Sequence, residues 1–184
     1  AHGEQAKEQV LPFFEENNQW SMSTGGCETQ VHGFRLLTEL RPHWLYINYD
    51  GTNAFNLGAR GGDKGFLAVL RERFSSLLAF ARTFYAREPE IFFRQDDGEV
   101  RILRCTSGSQ QGGPLGMLYF SLPQTCLMEE LKEEFVDLVR HSQLAQTAFA
   151  DDHGMGGPTN LMGAVFDSAV AKYAERGGRC NYSK

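Results

Sequence analysis

Residues 143–152 read QLAQTAFADD, a strand leading into two adjacent carboxylates, Asp151 and Asp152. Residues 44–50, WLYINYD, are rich in β-formers and read as a second, buried strand that ends at Asp50. A strand end followed by a tight turn is a rigid place to present a side chain. Adjacent ionised carboxylates repel each other, so a cation is their natural neutraliser. Mg²⁺ prefers oxygen ligands and is often shared between carboxylates and substrate phosphates. Two such ions about 3.5–4 Å apart activate an attacking hydroxyl and stabilise a leaving group. By themselves the three acids read as a pair of exposed turn acids and an unrelated third; the neighbouring segments change that.

Outward from these two strands, the order of elements can be read from periodicity and turn residues. Residues 4–17 are charged and predict a short, exposed helix; residues 17–27, NNQWSMSTGGC, predict a loop. A helix from Glu28 places Val31, Phe34, Leu37 and Leu40 on one face and ends at Pro42. After Asp50 comes the turn-rich stretch GTNAFNLGARGGDKG. From Lys64 to Tyr85, Phe66, Leu70, Phe74, Leu77, Ala81 and Phe84 recur every three or four residues, the pattern of one long amphipathic helix. Residues 90–105 read as a β-hairpin turning at Asp97-Gly98. The loop SGSQQGGP then leads into a helix with Pro114 near its first turn and a kink at Pro123 before the stretch from Gln124 to Arg140. A last helix over 159–176 carries Met162, Phe166, Ala169 and Tyr173 on one face and stops at Gly177; a short strand, RCNY, follows. Long crossovers together with hairpins predict an α+β fold, a mainly antiparallel sheet with helices packed on one face.

The 184 residues fit one domain, or one domain with a small appendage. Fourteen phenylalanines in a 41% hydrophobic chain are enough for a core and exclude a disordered reading. The net charge of −5 counts against a simple nucleic-acid module, whose footprint is basic. No apolar stretch is long enough to span a bilayer and the N-terminus has no secretory pattern, so no membrane partner is expected. Cys27, Cys105, Cys126 and Cys180 lie far apart and read as reduced thiols of an intracellular protein. His32, His43 and His153 lack metal-ligand spacing; His153 reads as an exposed turn histidine beside the acids.

Four segments, in order, resemble the reverse transcriptases of retroelements. Asp50-Gly51-Thr52-Asn53-Ala54-Phe55-Asn56 is similar to the first palm motif, an acid on a strand followed by a small turn, alanine and an aromatic. Gln110-Gln111-Gly112-Gly113-Pro114-Leu115-Gly116 resembles the Gln-Gly loop before an apolar helix. Phe149-Ala150-Asp151-Asp152 matches the aromatic-x-Asp-Asp turn, and Gly177 to Asn181 with Lys184 resembles the glycine, strand and lysine of the fourth motif. The likeness covers about residues 19–184. It implies a polymerase palm-like catalytic domain over 28–184, preceded by a helix and a fingers–palm junction segment over 1–27, with the N-terminal part of the fingers and the thumb absent. It also allows attachment to other domains of a larger polyprotein.

The resemblance implies an RNA-directed DNA polymerase acting on an RNA template, a DNA primer and deoxynucleoside triphosphates. Asp50, Asp151 and Asp152 would hold two Mg²⁺ ions, with Mn²⁺ as a substitute. Lys184 would act at the leaving pyrophosphate. Phe55 would meet the sugar and disfavour a 2′-hydroxyl, Gly51, Asn53 and Ala54 would bind the triphosphate, and Gln111 and Gly112 would line the nucleotide pocket. Gln19 and Trp20 would touch the template. A viral RNA-dependent RNA polymerase palm is the nearest alternative; it usually lacks the aromatic at Phe55 and carries glycine where this chain has Ala150. A catalytically silent palm that serves as a nucleic-acid or protein-binding scaffold is the alternative outside enzymes. Without fingers and thumb the chain is expected to bind Mg²⁺ weakly and polymerise little.

Overall fold

The computed structural model describes residues 2–181. Helices α1 (His2–Glu16) and α2 (Gly26–Leu40) precede strand β1 (Trp44–Tyr49). A short α3 (Ala54–Leu57) leads into α4 (Phe66–Arg73) and α5 (Ser75–Tyr85). The hairpin β2 (Glu90–Arg94) and β3 (Val100–Arg104) follows, then α6 (Gly116–Glu134) and α7 (Val136–Arg140). A second hairpin, β4 (Ala145–Phe149) and β5 (Asp152–Pro158), leads to α8 (Thr159–Glu175). No helix among the described residues is long and apolar enough to cross a membrane.

The larger sheet is antiparallel throughout, in the order β1-β5-β4. On one face Tyr49 and Met155 pack with Leu127 and Leu131 of α6 and with Met162, Val165, Ala169 and Tyr173 of α8. This is the helical layer expected from the sequence. The other face is lightly covered by α2, whose Phe34 sits edge-on to Tyr46 while Val31 and Leu40 stay exposed. Central strand β5 reads DHGMGGP and shows no alternation. Its glycines have a packing cause: a Cβ at Gly154 would run into the Phe34 ring, and one at Gly156 into the Tyr46 ring.

A second core gathers α1, α4, α5 and the first half of α6. Here the expectation of an exposed first helix fails. Ala6, Val10 and Phe14 recur every four residues and are fully withdrawn into this core, so α1 is amphipathic beneath its charges. The single helix expected from Lys64 to Tyr85 is also two. It breaks at Phe74, whose backbone leaves the helical region. A straight 20-residue helix spans about 30 Å. The corner instead lets Phe66 and Leu70 on one arm, and Leu77 and Ala81 on the other, reach one core. Pro123 lies within α6, which continues through it to Glu134. Residues 179–181 form one bridge, Gly51 to Cys180, and Tyr182 of the expected last strand lies outside the described residues.

Candidate active site at the strand ends

Asp50 directly follows β1, and its neighbour Tyr49 is paired with His153 of β5. The β4–β5 hairpin closes with Phe149 opposite Asp152, leaving Ala150 and Asp151 as its two-residue turn. This register brings Asp50 and Asp151 together from distant segments. Burial pushes the Asp151 carboxyl above its ordinary value of 3.8, and the nearby Asp50 and Asp152 carboxylates push the same way. A hydrogen bond between the Asp50 and Asp151 side chains adds to the shift, so the pair is in contact. Asp152 is exposed, and its main-chain carbonyl accepts a hydrogen bond from Gln30 Nε2 at 3.1 Å. Among the described residues no group of three or more His, Cys, Asp or Glu side chains is arranged to hold a metal ion. What the fold assembles is a carboxylate pair with Asp152 next in the chain.

The turn is braced from inside. Ala150 has φ 56°, a left-handed conformation that costs a non-glycine residue roughly 1–2 kcal/mol. Gln19 compensates: its Oε1 accepts the Ala150 N–H at 3.0 Å and its Nε2 donates to the Ala150 carbonyl at 3.3 Å. Gln19 is completely buried, so it presents no surface to a template strand. Trp20 Nε1 donates to Thr147 Oγ1 at 2.8 Å, and the Trp20 N–H bonds the Ala148 carbonyl, which holds this segment along the edge of β4. His153 is likewise inside the protein rather than exposed. Its Nδ1 lies 2.7 Å from the Tyr49 hydroxyl, and burial pushes its pKa down to about 4.

Gly51 lies against the Tyr173 hydroxyl, where any side chain would overlap the phenol. The chain beyond α8 runs beside it: Thr52 N–H donates to the Arg179 carbonyl, and Asn181 N–H to the Asp50 carbonyl at 3.0 Å. Asn48, Asp50, Asp152, Phe166, Cys180 and Asn181 border an open cleft of about 610 Å³. Asn53 adopts a left-handed φ of 48° and leads into α3, while Ala54 is buried against Phe120 and Ala150. Phe55 stacks on Phe120 with ring centroids 4.3 Å apart and packs on that same small core, next to the acid turn. Gln111 and Gly112 lie on an exposed turn with Gly112 at φ 82°. Their loop is pinned to the first motif by Ser109 N–H to the Phe55 carbonyl, and to the residues just after it by Gly108 N–H to the Gly58 carbonyl. Lys184 lies outside the described residues.

The net charge of −5 hides a local gathering of arginines. Arg71, Arg82 and Arg87 border a cleft of about 330 Å³ together with Tyr85. The Tyr85 hydroxyl accepts the Gln110 N–H at 2.9 Å, so this basic cleft adjoins the Gln110–Gly113 loop. Arg60 completes its wall from a buried position, with Nε donating to the Gly108 carbonyl at 2.7 Å.

No family model matches the chain, and no curated protein matches it by sequence. Solved structures do match. Telomerase from Candida albicans, in complex with a TWJ fragment of telomeric RNA, aligns over 99% of this chain and 34% of its own, with a TM-score of 0.72 at 10% identity. Apo telomerase from Candida tropicalis aligns over 99% and 35% respectively, with a TM-score of 0.69 at 12% identity. A form of it truncated from the C-terminal domain gives 98% and 38%, 0.67 and 13%. The chain thus shares its α+β, palm-like fold with part of those telomerases, and it spans little more than a third of their length.

Proposed function

We propose that the chain is the palm of an RNA-directed DNA polymerase, which adds deoxynucleotides to a primer 3′-hydroxyl on an RNA template. The observation that carries this reading is the contact between Asp50 and Asp151, two acids from separate strands that meet where β1 and the β4–β5 turn end. Two carboxylates completed by phosphate oxygens form a common Mg²⁺ donor set, so Asp50 and Asp151 fit one ion, Mg²⁺ or Mn²⁺. A second ion would draw on Asp152. When bound, the ions supply Lewis-acid charge to the attacking and leaving oxygens.

The chain's own residues do the rest. The raised pKa of Asp151 reflects its burial and the nearby Asp50 and Asp152 charges, an excess of negative charge that a bound cation would relieve. Gln19 keeps the turn from relaxing. Phe55, stacked on Phe120, is a stiff wall suited to excluding a ribose 2′-hydroxyl. Main-chain groups of Gly51, Asn53 and Ala54 would bind the triphosphate, and the exposed Gln111-Gly112 turn would border the pairing nucleotide. The arginine cleft offers phosphate contacts to template or primer. Lys184, outside the described residues, would act at the leaving pyrophosphate.

Calorimetric titration with Mn²⁺ tests the reading. Binding should be tighter at about pH 8 than at about pH 5, because the Asp151 proton must leave. Asp50→Asn and Asp151→Asn should each abolish it. Failure of the unsubstituted chain to bind Mn²⁺ would favour the second reading, a palm retained as a binding scaffold.

A further inference from the structure

The β2–β3 hairpin stands apart from both cores. It is a separate two-stranded sheet, and all ten of its strand residues are exposed. Phe92 is 67% exposed, and Ile91, Phe93, Val100, Ile102 and Leu103 are each more than half exposed. They divide between the two faces of the ribbon, Phe92, Val100 and Ile102 on one and Ile91, Phe93 and Leu103 on the other. A two-stranded ribbon is marginal in water without a third strand or a covering layer.

The free edge of β2 is built for one particular neighbour. Gln95 N–H donates to the Glu99 carbonyl, and Cys105 N–H to the Pro89 carbonyl. With the register Ile91 to Leu103 and Phe93 to Arg101, the inward backbone groups of β2 belong to Ile91 and Phe93. The N–H and C=O groups of Glu90, Phe92 and Arg94 therefore point outward, away from β3. The strand itself reads Glu-Ile-Phe-Phe-Arg. Laid antiparallel on a second copy of itself about Phe92, it sets Glu90 of each copy opposite Arg94 of the other. Ile91 then faces Phe93, and Phe92 faces Phe92. The outward backbone groups fall on the same three positions, so hydrogen bonding and side-chain pairing select one register.

From this self-complementarity we infer that two copies of the chain associate through β2, forming a four-stranded sheet β3-β2-β2-β3 across a twofold axis. Its apolar centre, Ile102-Phe92-Phe92-Ile102, is flanked by opposite charges. Glu90 already lies 3.5 Å from Arg104 of its own chain, and a carboxylate can accept from both arginines. The β3 edge has no such match, since pairing it about Ile102 would put Arg104 opposite Val100. The contact is isologous and closes at two copies. It is independent of catalysis.

Sedimentation equilibrium of the 184-residue chain over micromolar concentrations tests this. A monomer–dimer equilibrium is expected. Glu90→Arg and Arg94→Glu, each checked for native thermal unfolding, should weaken it at least about tenfold, because two attractive cross-strand pairs become repulsive. Mixing the two single variants, or combining both substitutions in one chain, should restore association. A chain that stays monomeric would overturn the inference. So would a dimer, or growth beyond a dimer, that both single substitutions leave intact.

Discussion

Ala150 carries the strain of the acid turn and Gln19 holds it there. Removing the Gln19 amide would leave the Ala150 N–H and carbonyl without these partners inside the protein. Gln19→Ala should therefore cost about 2–4 kcal/mol in urea unfolding. A loss below about 1 kcal/mol would mean the amide is not the brace. Asp151 makes the opposite prediction. Its folded pKa is raised, so the folded state binds a proton more readily than the unfolded chain, and the associated stability is present at low pH and lost as pH rises through the folded value. At neutral pH the charged carboxylate thus opposes folding. Asp151→Asn should raise the metal-free Tm by roughly 2–4 °C at neutral pH, and the gain should vanish below the ordinary carboxylate value of 3.8. Equal gains at both pH values would remove the electrostatic explanation.

Elements in this chain follow their packing more than their periodicity. Strand β5 is a strand because β1 and β4 flank it, and its glycines are what the Phe34 and Tyr46 rings leave room for. Gly154→Ala should destabilise by about 1–3 kcal/mol by forcing the Phe34 ring aside. Shortening the ring with Phe34→Ala in the same chain should recover part of that loss, which thermal melts of the single and double variants can read. Gly33 is the contrasting case, a glycine inside α2 with nothing within 4 Å of its absent Cβ. There alanine should stabilise by about 0.5–1 kcal/mol through helix propensity. The break at Phe74 and the unbroken run through Pro123 have the same origin, since a local tendency gives way when the core on either side needs a different path.

Across the whole molecule, α6 is the element common to both cores. Leu118, Tyr119 and Leu122 fill one core; Leu127 and Leu131 fill the other. Arg176, at the end of α8, locks onto this helix. Its Nε donates to the Pro123 carbonyl at 2.9 Å, and its Nη2 lies 2.8 Å from Glu130 Oε1. Glu130 also pairs with Lys64. Burial works against the Glu130 charge, yet Lys64 and Arg176 outweigh it and hold the carboxyl below its ordinary value of 4.5. Glu130→Gln would leave the Arg176 guanidinium buried without its counter-charge, at a cost of about 3 kcal/mol near pH 7. Because the Glu130 pKa is depressed, its contribution is present above the unfolded value and fades as pH falls through the folded one. The gap between parent and variant in urea unfolding should narrow on acidification; a constant gap would show that charge is not the cause.

Local pattern made a good part of this legible. The strands ending in Asp50 and Asp151, the hairpin at Asp97-Gly98 and the helix over 159–176 are short-range features, and each residue's neighbours in sequence specify them. The α+β class followed from their order. The convergence of Asp50 with Asp151 was implied by the resemblance of their motifs; the inward turn of Gln19 and His153, the burial of α1 and the gathering of arginines beside Tyr85 came only with the tertiary structure. Each depends on which distant segments share a register or a core. Those contacts are set by the packing of the whole chain, whereas sequence spacing reports only what lies within a few residues.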